Sequence, residues 1–481
     1  MFQTMSQLGD TLKGVVEISD GAVKVIAPKH VRGALIDHLI TTAVFHEKAD
    51  LRGTCRWIIK MIAPQLDIHL CSIQPLYNAM GRGQCDRFTV PAVNVRGMAY
   101  DTARALFRAA RSNRVGAFIL EIAKSEMVYT DQSPAEYVAV IIAAAIQEGF
   151  SGPLFIQGDH FQANMKRFRE NRQKEVASLR TLIQQAITAG FFNIDLDSST
   201  LVDLSVPDVV EQQRNNFEVA ADLTAYIRSL EPQGITISVG GEIGEVGNKN
   251  STVEEFTVYM EGYLNVLRQD VPTLCGISKI SVQTGTSHGG IPMSDGTIAK
   301  VQLDFDVLEK ISNTARQVYG LAGAVQHGAS TLPMNLFDRF PETGTAEIHL
   351  ATEFQNMLYD RLPHDFKQTI YAYLRKECKD EMKEGQTDEQ FIYKTRKKAL
   401  GPFKQALWNL PEEVRRPIGD ALEEKFVMLF KKLNVWNTRS VVDKIVQPFP
   451  VSFVLRNEIE SAYAETKKSP QVKADTNSLA D

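Results

Sequence analysis

The chain has 481 residues, 44% hydrophobic and 23% charged, with Lys+Arg 53 against Asp+Glu 58 for a formal net charge of -5. That is the composition of an ordinary water-soluble globular protein, and its mild acidity argues against a general nucleic-acid binder, which carries a basic domain or stripe. No run of about 18 apolar residues is present, so no membrane partner is expected. The start, MFQTMSQLGD, lacks the charged and apolar regions of a secretory signal, and the five cysteines (Cys55, Cys71, Cys85, Cys275, Cys378) contain no CxxC pair. They read as reduced thiols, and the expected location is the cytoplasm.

In chain order, residues 1–70 open with the runs GVVEIS and AVKVI flanking Asp20-Gly21, a turn pair that predicts a hairpin. From there to about 360 a rhythm sets in. Short apolar runs recur at 88–95 (FTVPAVNV), 117–123 (AFILEIA), 153–159 (PLFIQGD) and 191–197 (FFNIDLD), then at 236–242 (TISVGGE), 277–284 (ISKISVQT), 321–328 (LAGAVQHG) and 346–352 (AEIHLAT). Stretches of helical spacing separate them; one of these, ASLRTLIQQAITAG, ends on Gly190 as a helix C-cap. Near-continuous hydrophobicity predicts strands buried on both faces, as in a parallel sheet. Eight strand–helix units predict an α/β fold, a (β/α)8 TIM barrel over 71–360, against the alternative of an open doubly wound sheet. VNVRGMAYD, after the first strand, is not the glycine-rich phosphate turn that the open sheet requires. Residues 1–70 then form an N-terminal extension, 361–465 a helical C-terminal region and 466–481 a disordered tail. The basic run Lys394-Thr395-Arg396-Lys397-Lys398 reads as a solvated helix face, and Trp408, Phe426, Met428, Leu429 and Phe430 as core or subunit-interface residues.

The histidines carry the functional signal. Of nine, four fall at or just beyond strand ends: His160, His288, His327 and His349. Strand C-termini form one face of a TIM barrel, where active sites are built, and three converging histidines suit a catalytic zinc site. GTSHGG (285–290) and QHGAS (326–330) surround two of them with glycines and small hydroxyl residues, which let backbone N–H groups approach a phosphate. Carboxylates gather on the same face: Asp159, Asp195, Asp197, Glu242 and Glu245. Crowding among them is expected to raise a carboxyl pKa toward the range useful for proton donation. Adjacent strand residues point in different directions, so Asp159 and His160 are expected to face different parts of the pocket.

PAVNV, GDH, IDLDSS, GGEIGEVG, GTSHGG and QHGAS, in that order at strand ends, resemble the class II, metal-dependent fructose-bisphosphate and tagatose-bisphosphate aldolases from about Cys71 to Asp360. The resemblance implies a homo-oligomer, dimer or tetramer, working in carbohydrate metabolism such as glycolysis. It implies Zn²⁺ on His160, His288 and His327, with Asp159 as proton donor to the aldehyde oxygen. Glu242 and Asp195 match acidic positions that hold a second or displaced divalent ion. Asn94 matches a substrate contact; Gly289, Gly328 and Ser330 match the phosphate grip, which in the family also uses a monovalent cation. Retro-aldol cleavage without a lysine Schiff base leaves a carbanion beside a carbonyl, which a Lewis acid must stabilise as an enediolate.

The substrate half departs from the family. HGGIPMSDG lacks the usual lysine after the metal-loop histidine, and His349–Leu350–Ala351–Thr352 stands where an Asn–x–Asp–Thr segment binds ketose hydroxyls and phosphate, keeping only Thr352. His349 is therefore a candidate substrate contact or a wall-packing residue. Glu254 or Glu255 is the candidate replacement for the family's loop base. The leading expectation is a zinc-dependent aldolase acting on a ketose phosphate such as fructose 1,6-bisphosphate. A non-catalytic aldolase-like subunit or sugar-phosphate sensor, and a metal-dependent isomerase or epimerase, stay open.

Overall fold

The computed structural model describes residues 1–19, 21–244, 249–285, 303–330 and 332–466. Asp20, Glu245, His288, Gly289 and the expected tail from 467 onward lie outside the described residues. The hairpin forms as expected, β1 (Val16–Ser19) pairing antiparallel with β2 (Ala22–Val25), and a short strand β3 (Ile68–Leu70) follows.

Eight parallel strands then close on themselves: β4 (Val90–Asn94), β5 (Ile119–Ala123), β6 (Gly152–Gln162), β7 (Asn193–Asp197), β8 (Ser238–Glu242), β9 (Lys279–Val282), β10 (Ala324–Gln326) and β11 (Glu347–Leu350). Each pairs with the next, and β11 returns to β4 (Ile348 opposite Pro91), which completes the (β/α)8 barrel. β3 adds to the outer start of β6, with Ile68 opposite Gly152. All eight expected strands are present; seven are trimmed at their ends, and the third runs longer than expected, over Gly152–Gln162. The seventh keeps only Ala324–Gln326, because Gly323 turns into a left-handed backbone (φ 139) just before it.

Local chemistry sets the helix boundaries. Ser133 caps Pro134–Glu148 through the Glu136 N–H, and Asp208 caps Val209–Leu230 through the Glu211 N–H. The helix Arg172–Ala189 stops at Gly190, whose φ of 114 is a left-handed backbone that favours glycine; a Cβ there would stand 2.6 Å from the Leu70 Cδ1 methyl, which would have to shift.

The flanking segments share the barrel's core, one cluster of buried apolar side chains running from Phe2 to Val446. The helix Glu412–Lys432 lies on the barrel helix Ala99–Ser112, with Arg108 Nε 2.5 Å from Glu423 Oε2 and Phe426 packed 4.8 Å from the Phe354 ring. Trp408 stacks on Tyr100 at 5.5 Å. Met428, by contrast with its buried neighbours Phe426, Leu429 and Phe430, is 44% exposed. The last helix, Leu455–Thr466, lies along the early helix Ala49–Ile62 and is held by buried cations: Arg56 to Glu465 (2.6 Å), Lys60 to Glu458 (2.5 Å) and Arg52 to the Ala462 carbonyl (2.6 Å).

The basic run does not form a solvated face. Arg396–Ala399 is a 3-10 turn; Arg396 is buried, with its guanidinium over Tyr393 and Tyr359, and Gly401 N–H donates to the Tyr129 carbonyl at the end of the segment after β5. Amphipathic spacing cannot reveal such a wedge, because its partner lies some 270 residues away in the chain.

Candidate functional site

The barrel's C-terminal face is organised by an irregularity in β6. Gly158 lies opposite Ile194 and Phe161 opposite Leu196, so three steps on β6 span two on β7. The extra residue makes a β-bulge, with His160 in the left-handed region at φ 41. The bulge brings the side chains of Asp159 and His160 to one cluster, His160 Nε2 lying 3.9 Å from Asp159 Oδ1. Within that cluster the two take different partners, as their adjacency on a strand predicts: Asp159 turns to Asn94 and His349, and His160 to Asp197.

Ligand atoms of His160, Glu242 and His327 all lie within 4.8 Å of one another, and the three residues are buried. Each histidine has one ring nitrogen held by protein: His160 Nδ1 is 3.1 Å from Asp197 Oδ2, and His327 Nε2 is 3.0 Å from Ser281 Oγ. The opposite nitrogens face each other, His327 Nδ1 2.7 Å from His160 Nε2. Two imidazoles, each anchored from behind, together with a carboxylate form a donor set that fits a divalent cation. Burial and Asp197 push the Glu242 carboxyl up to about 7 against the pull of His160. Burial alone would lower His160, but Asp159, Glu242 and Asp197 outweigh it and hold the imidazole well above its ordinary value.

Asp159 is gripped at both oxygens. Asn94, at the end of β4, donates to Oδ2 at 2.9 Å, and His349 Nδ1 lies 3.1 Å from Oδ1. Asn94 also donates to Glu126 Oε2 (2.9 Å), and Glu126 Oε1 takes Arg96 Nε at 2.5 Å. The crowding argument gives the wrong direction for Asp159. Burial would raise its carboxyl, but His160, His349 and His327 outweigh burial and hold it well below the usual carboxylate range. The charges that lower it are histidines, which outweigh its burial.

Beneath this cluster lies a charged layer of which the sequence reading singled out only Asp195. Lys279 on β9 points its ammonium at Glu347 Oε1 (2.5 Å), Asp195 Oδ2 (2.9 Å) and Gln157 Oε1 (2.8 Å). Gln157 donates to Glu121 Oε2 (2.8 Å) and Glu347 Oε1 (2.9 Å), and the Tyr77 hydroxyl donates to Glu347. Burial pushes Glu121 up to about 8, whereas Lys279 and His349 overcome burial at Glu347 and pull it down to about 2. Asp195 contacts Lys279 and stands outside the donor groups around His327 and His349. The available signal was a single charge inside each apolar run: Glu121 in AFILEIA, Lys279 in ISKISVQT and Glu347 in AEIHLAT.

His349 is 5% exposed, and its two ring nitrogens face carboxylates: Nδ1 is 3.1 Å from Glu121 Oε1 as well as from Asp159, and Nε2 is 2.7 Å from Glu347 Oε1. Gly328 follows His327 with φ 66, Ser330 is buried, and its Oγ lies 3.4 Å from the N–H of Glu353 in the first turn of the helix Thr352–Arg361. Thr352 is buried at that helix start. Of the loop-base candidates, Glu255 is occupied as the capping box of Val253–Leu267, accepting from Thr252 N–H at 2.8 Å and pairing with Lys249 at 2.7 Å, while Glu254 is exposed. At the rim, Lys397 from the C-terminal wedge stands over the Tyr129 ring, and burial with the nearby charges of Arg96 and Lys398 drives its amine down to about 7.

A closed parallel barrel with buried histidines and carboxylates at its C-terminal mouth is the architecture of a metal-assisted barrel enzyme. The class II fructose-bisphosphate aldolase family model matches residues 76–403, well over half of the chain, and the protein belongs to that family. It is an aldolase-type lyase of the class that acts on ketose phosphates. Among solved structures, the chain is similar to the YdjI aldolase of Escherichia coli K12 (14% identity over 76% of this chain and 98% of that one, TM-score 0.47). It is also similar to a probable tagatose 6 phosphate kinase of Sinorhizobium meliloti 1021 (14%, 78% and 98%, TM-score 0.50) and the fructuronate-tagaturonate epimerase UxaE of Cohnella laeviribosi (12%, 92% and 90%, TM-score 0.47). At these identities the likeness concerns the fold. Curated proteins provide no match. No helix among the described residues is long and apolar enough to cross a membrane.

Proposed function

We propose that the protein is a zinc-dependent aldolase that makes and breaks a C–C bond in a ketose mono- or bisphosphate such as fructose 1,6-bisphosphate. The observation that carries the reading is the convergence of His160, Glu242 and His327, each histidine anchored from behind, beside a doubly held Asp159. His288, Gly289 and the substrate phosphate grip come from the family resemblance: His288 as a third imidazole ligand, Gly289, Gly328 and Ser330 around the phosphate with Thr352. A divalent cation on these ligands supplies the Lewis acidity that a developing carbanion beside a carbonyl requires.

The residues around that ion do the proton work. In the cleavage direction the hydroxyl on the carbon that becomes the aldehyde must lose its proton, and Asp159, kept as a carboxylate by its histidine neighbours, accepts it. In the condensation direction the same group returns it. Asn94 holds one oxygen of Asp159 while remaining at the mouth, where it contacts the substrate. Glycine φ freedom at Gly328 and the Ser330 hydroxyl beside the Thr352 helix start suit a phosphate, whose binding energy acts at a distance from the reacting bond. The assembly is proposed as a homo-oligomer, dimer or tetramer, in the cytoplasm, serving carbohydrate metabolism.

Metal analysis combined with coupled detection of triose phosphate over a panel of ketose mono- and bisphosphates tests this function. Stoichiometric zinc with release of two fragments is the expected result. Metal-loaded protein that cleaves none of them sinks the reading, and a single rearranged product indicates isomerase or epimerase chemistry instead.

A further inference from the structure

His349 occupies the centre of the barrel mouth, yet it faces inward. Its Nδ1 is 3.1 Å from Asp159 Oδ1, its Nε2 is 2.7 Å from Glu347 Oε1, and its ring stacks on His327 with centroids 4.1 Å apart. Glu347 is itself immobilised, by Lys279 at 2.5 Å, by Gln157 at 2.9 Å and by the Tyr77 hydroxyl. These contacts form a continuous path from the rigid strand β9 through Lys279, Glu347 and His349 to Asp159.

We propose that His349 is a positioning residue that fixes the orientation of Asp159 through Nδ1, with Glu347 and Lys279 locking the imidazole from below. The inference rests on the reading of Asp159 as the proton-handling group. Asn94 at 2.9 Å secures the other carboxylate oxygen. A carboxylate held at both oxygens cannot rotate about its last torsion, and a misplacement of about 1 Å at such a group costs about a hundredfold in rate. Direct substrate contact is the weaker role for His349, because the ring is 5% exposed and both nitrogens already face carboxylates. Simple wall packing does not account for a polar ring facing Glu121, Asp159, Asp195 and Glu347.

The variants His349→Asn, His349→Gln and His349→Ala in the full-length, metal-loaded protein provide the test. An Asn amide nitrogen falls where the imidazole Nδ1 is, whereas a Gln amide reaches instead toward the Nε2 position. Expected is a kcat loss of about a hundredfold in His349→Ala and His349→Gln, recovering to within about tenfold of the parent in His349→Asn, with KM changed by about twofold or less in all three. Space filling predicts the reverse order, and Gln outperforming Asn overturns the proposal. Crystal structures of the metal-free Ala and Asn variants read the same relationship without turnover: the Asp159 carboxylate leaves its place in Ala and keeps it in Asn. Asp159 unmoved in the Ala variant refutes the proposal. Should the Ala variant not fold, the Asn and Gln pair decides by kinetics and by crystallography. Absence of aldolase activity in the parent removes the proposed function, and the crystallographic comparison still decides the positioning role.

Discussion

The Asn94 amide lies 2.9 Å from Asp159 Oδ2 and, through the same nitrogen, 2.9 Å from Glu126 Oε2. One neutral donor thus separates two buried carboxylates. Replacing it by Asp brings three carboxylates together; replacing it by Leu leaves Asp159 Oδ2 without its donor, at about 1–3 kcal/mol, while Glu126 Oε2 keeps the Ala123 N–H at 2.8 Å. We expect Asn94→Leu to lower the thermal midpoint and to cut kcat by an order of magnitude or more. An Asn94→Leu enzyme with unchanged turnover removes the bridge from the chemistry.

Asp197 acts one step further out, holding His160 Nδ1 at 3.1 Å and taking Gln162 Nε2 at 2.5 Å. A carboxylate behind a ligating imidazole raises its basicity and fixes its tautomer, and its loss costs about 10–100-fold in metal affinity. Asp197→Asn should therefore weaken zinc binding by that factor in a competitive chelator titration. An unaltered dissociation constant argues that His160 is not a ligand.

Lys279 is the internal counter-charge for Glu347 and Asp195. Lys279→Met strands both in the barrel interior, which for a broken buried pair costs about 3–5 kcal/mol. Denaturant unfolding should register that loss, and adding Glu347→Gln should recover part of it. If the double variant is no more stable than the single, the pairing is not what Lys279 contributes.

Metal-free protein should lose stability as pH rises. Burial pushes Glu121 up to about 8, Glu242 to about 7 and Asp195 to about 6, whereas unfolded carboxylates titrate near about 4, so the folded state binds the extra protons. His160 and His349, held above their ordinary value by neighbouring carboxylates against the effect of burial, add stability that is complete below about pH 6.5 and lost as pH rises through their folded values. Asp159 and Glu347 act in the opposite sense: their contribution is present above about pH 4 and disappears as acid approaches their lowered folded values. The melting temperature of the metal-free protein should thus decline from about pH 5 to about pH 9. A flat or rising profile contradicts this charge arrangement.

Gly53 tests the join between the chain's two ends. A Cβ at this position would lie 2.6 Å from the Cα of Ile459 in the last helix. Backbone cannot yield as a side chain can, so Gly53→Ala should cost about 1–3 kcal/mol and loosen Leu455–Thr466. Limited proteolysis should then cut within that helix first; equal resistance to the parent shows that the helices part without cost.

The barrel was legible because parallel strands buried on both faces leave apolar runs at a regular interval, and the histidines stood out because they fall at or just beyond the ends of those runs. Other features depend on partners. The bulge at His160 exists only relative to the register of β7, and one strand read alone cannot show it. The low carboxyl of Asp159 depends on which neighbours surround it; residues such as Asp195 and Glu242 are close in pattern, but His160, His349 and His327 are close in space. Lys397 reached the rim through a wedge whose contact with Tyr129 no periodicity encodes.

The β6 bulge also governs how this chain can change. Gln157 and Gln162 differ by five positions, an odd interval that in a plain strand places them on opposite faces, yet Gln157 bonds within the barrel to Glu121 and Gln162 bonds to Asp197 beside His160. The strand is out of step with itself across one residue. Deleting one residue between them would leave an even interval of four, which a regular strand keeps on one face, and would cost the extra residue by which the adjacent Asp159 and His160 reach one cluster. Side chains at the mouth can be exchanged one at a time, whereas shortening this strand by one residue removes the bulge on which the pairing of Asp159 with His160 depends.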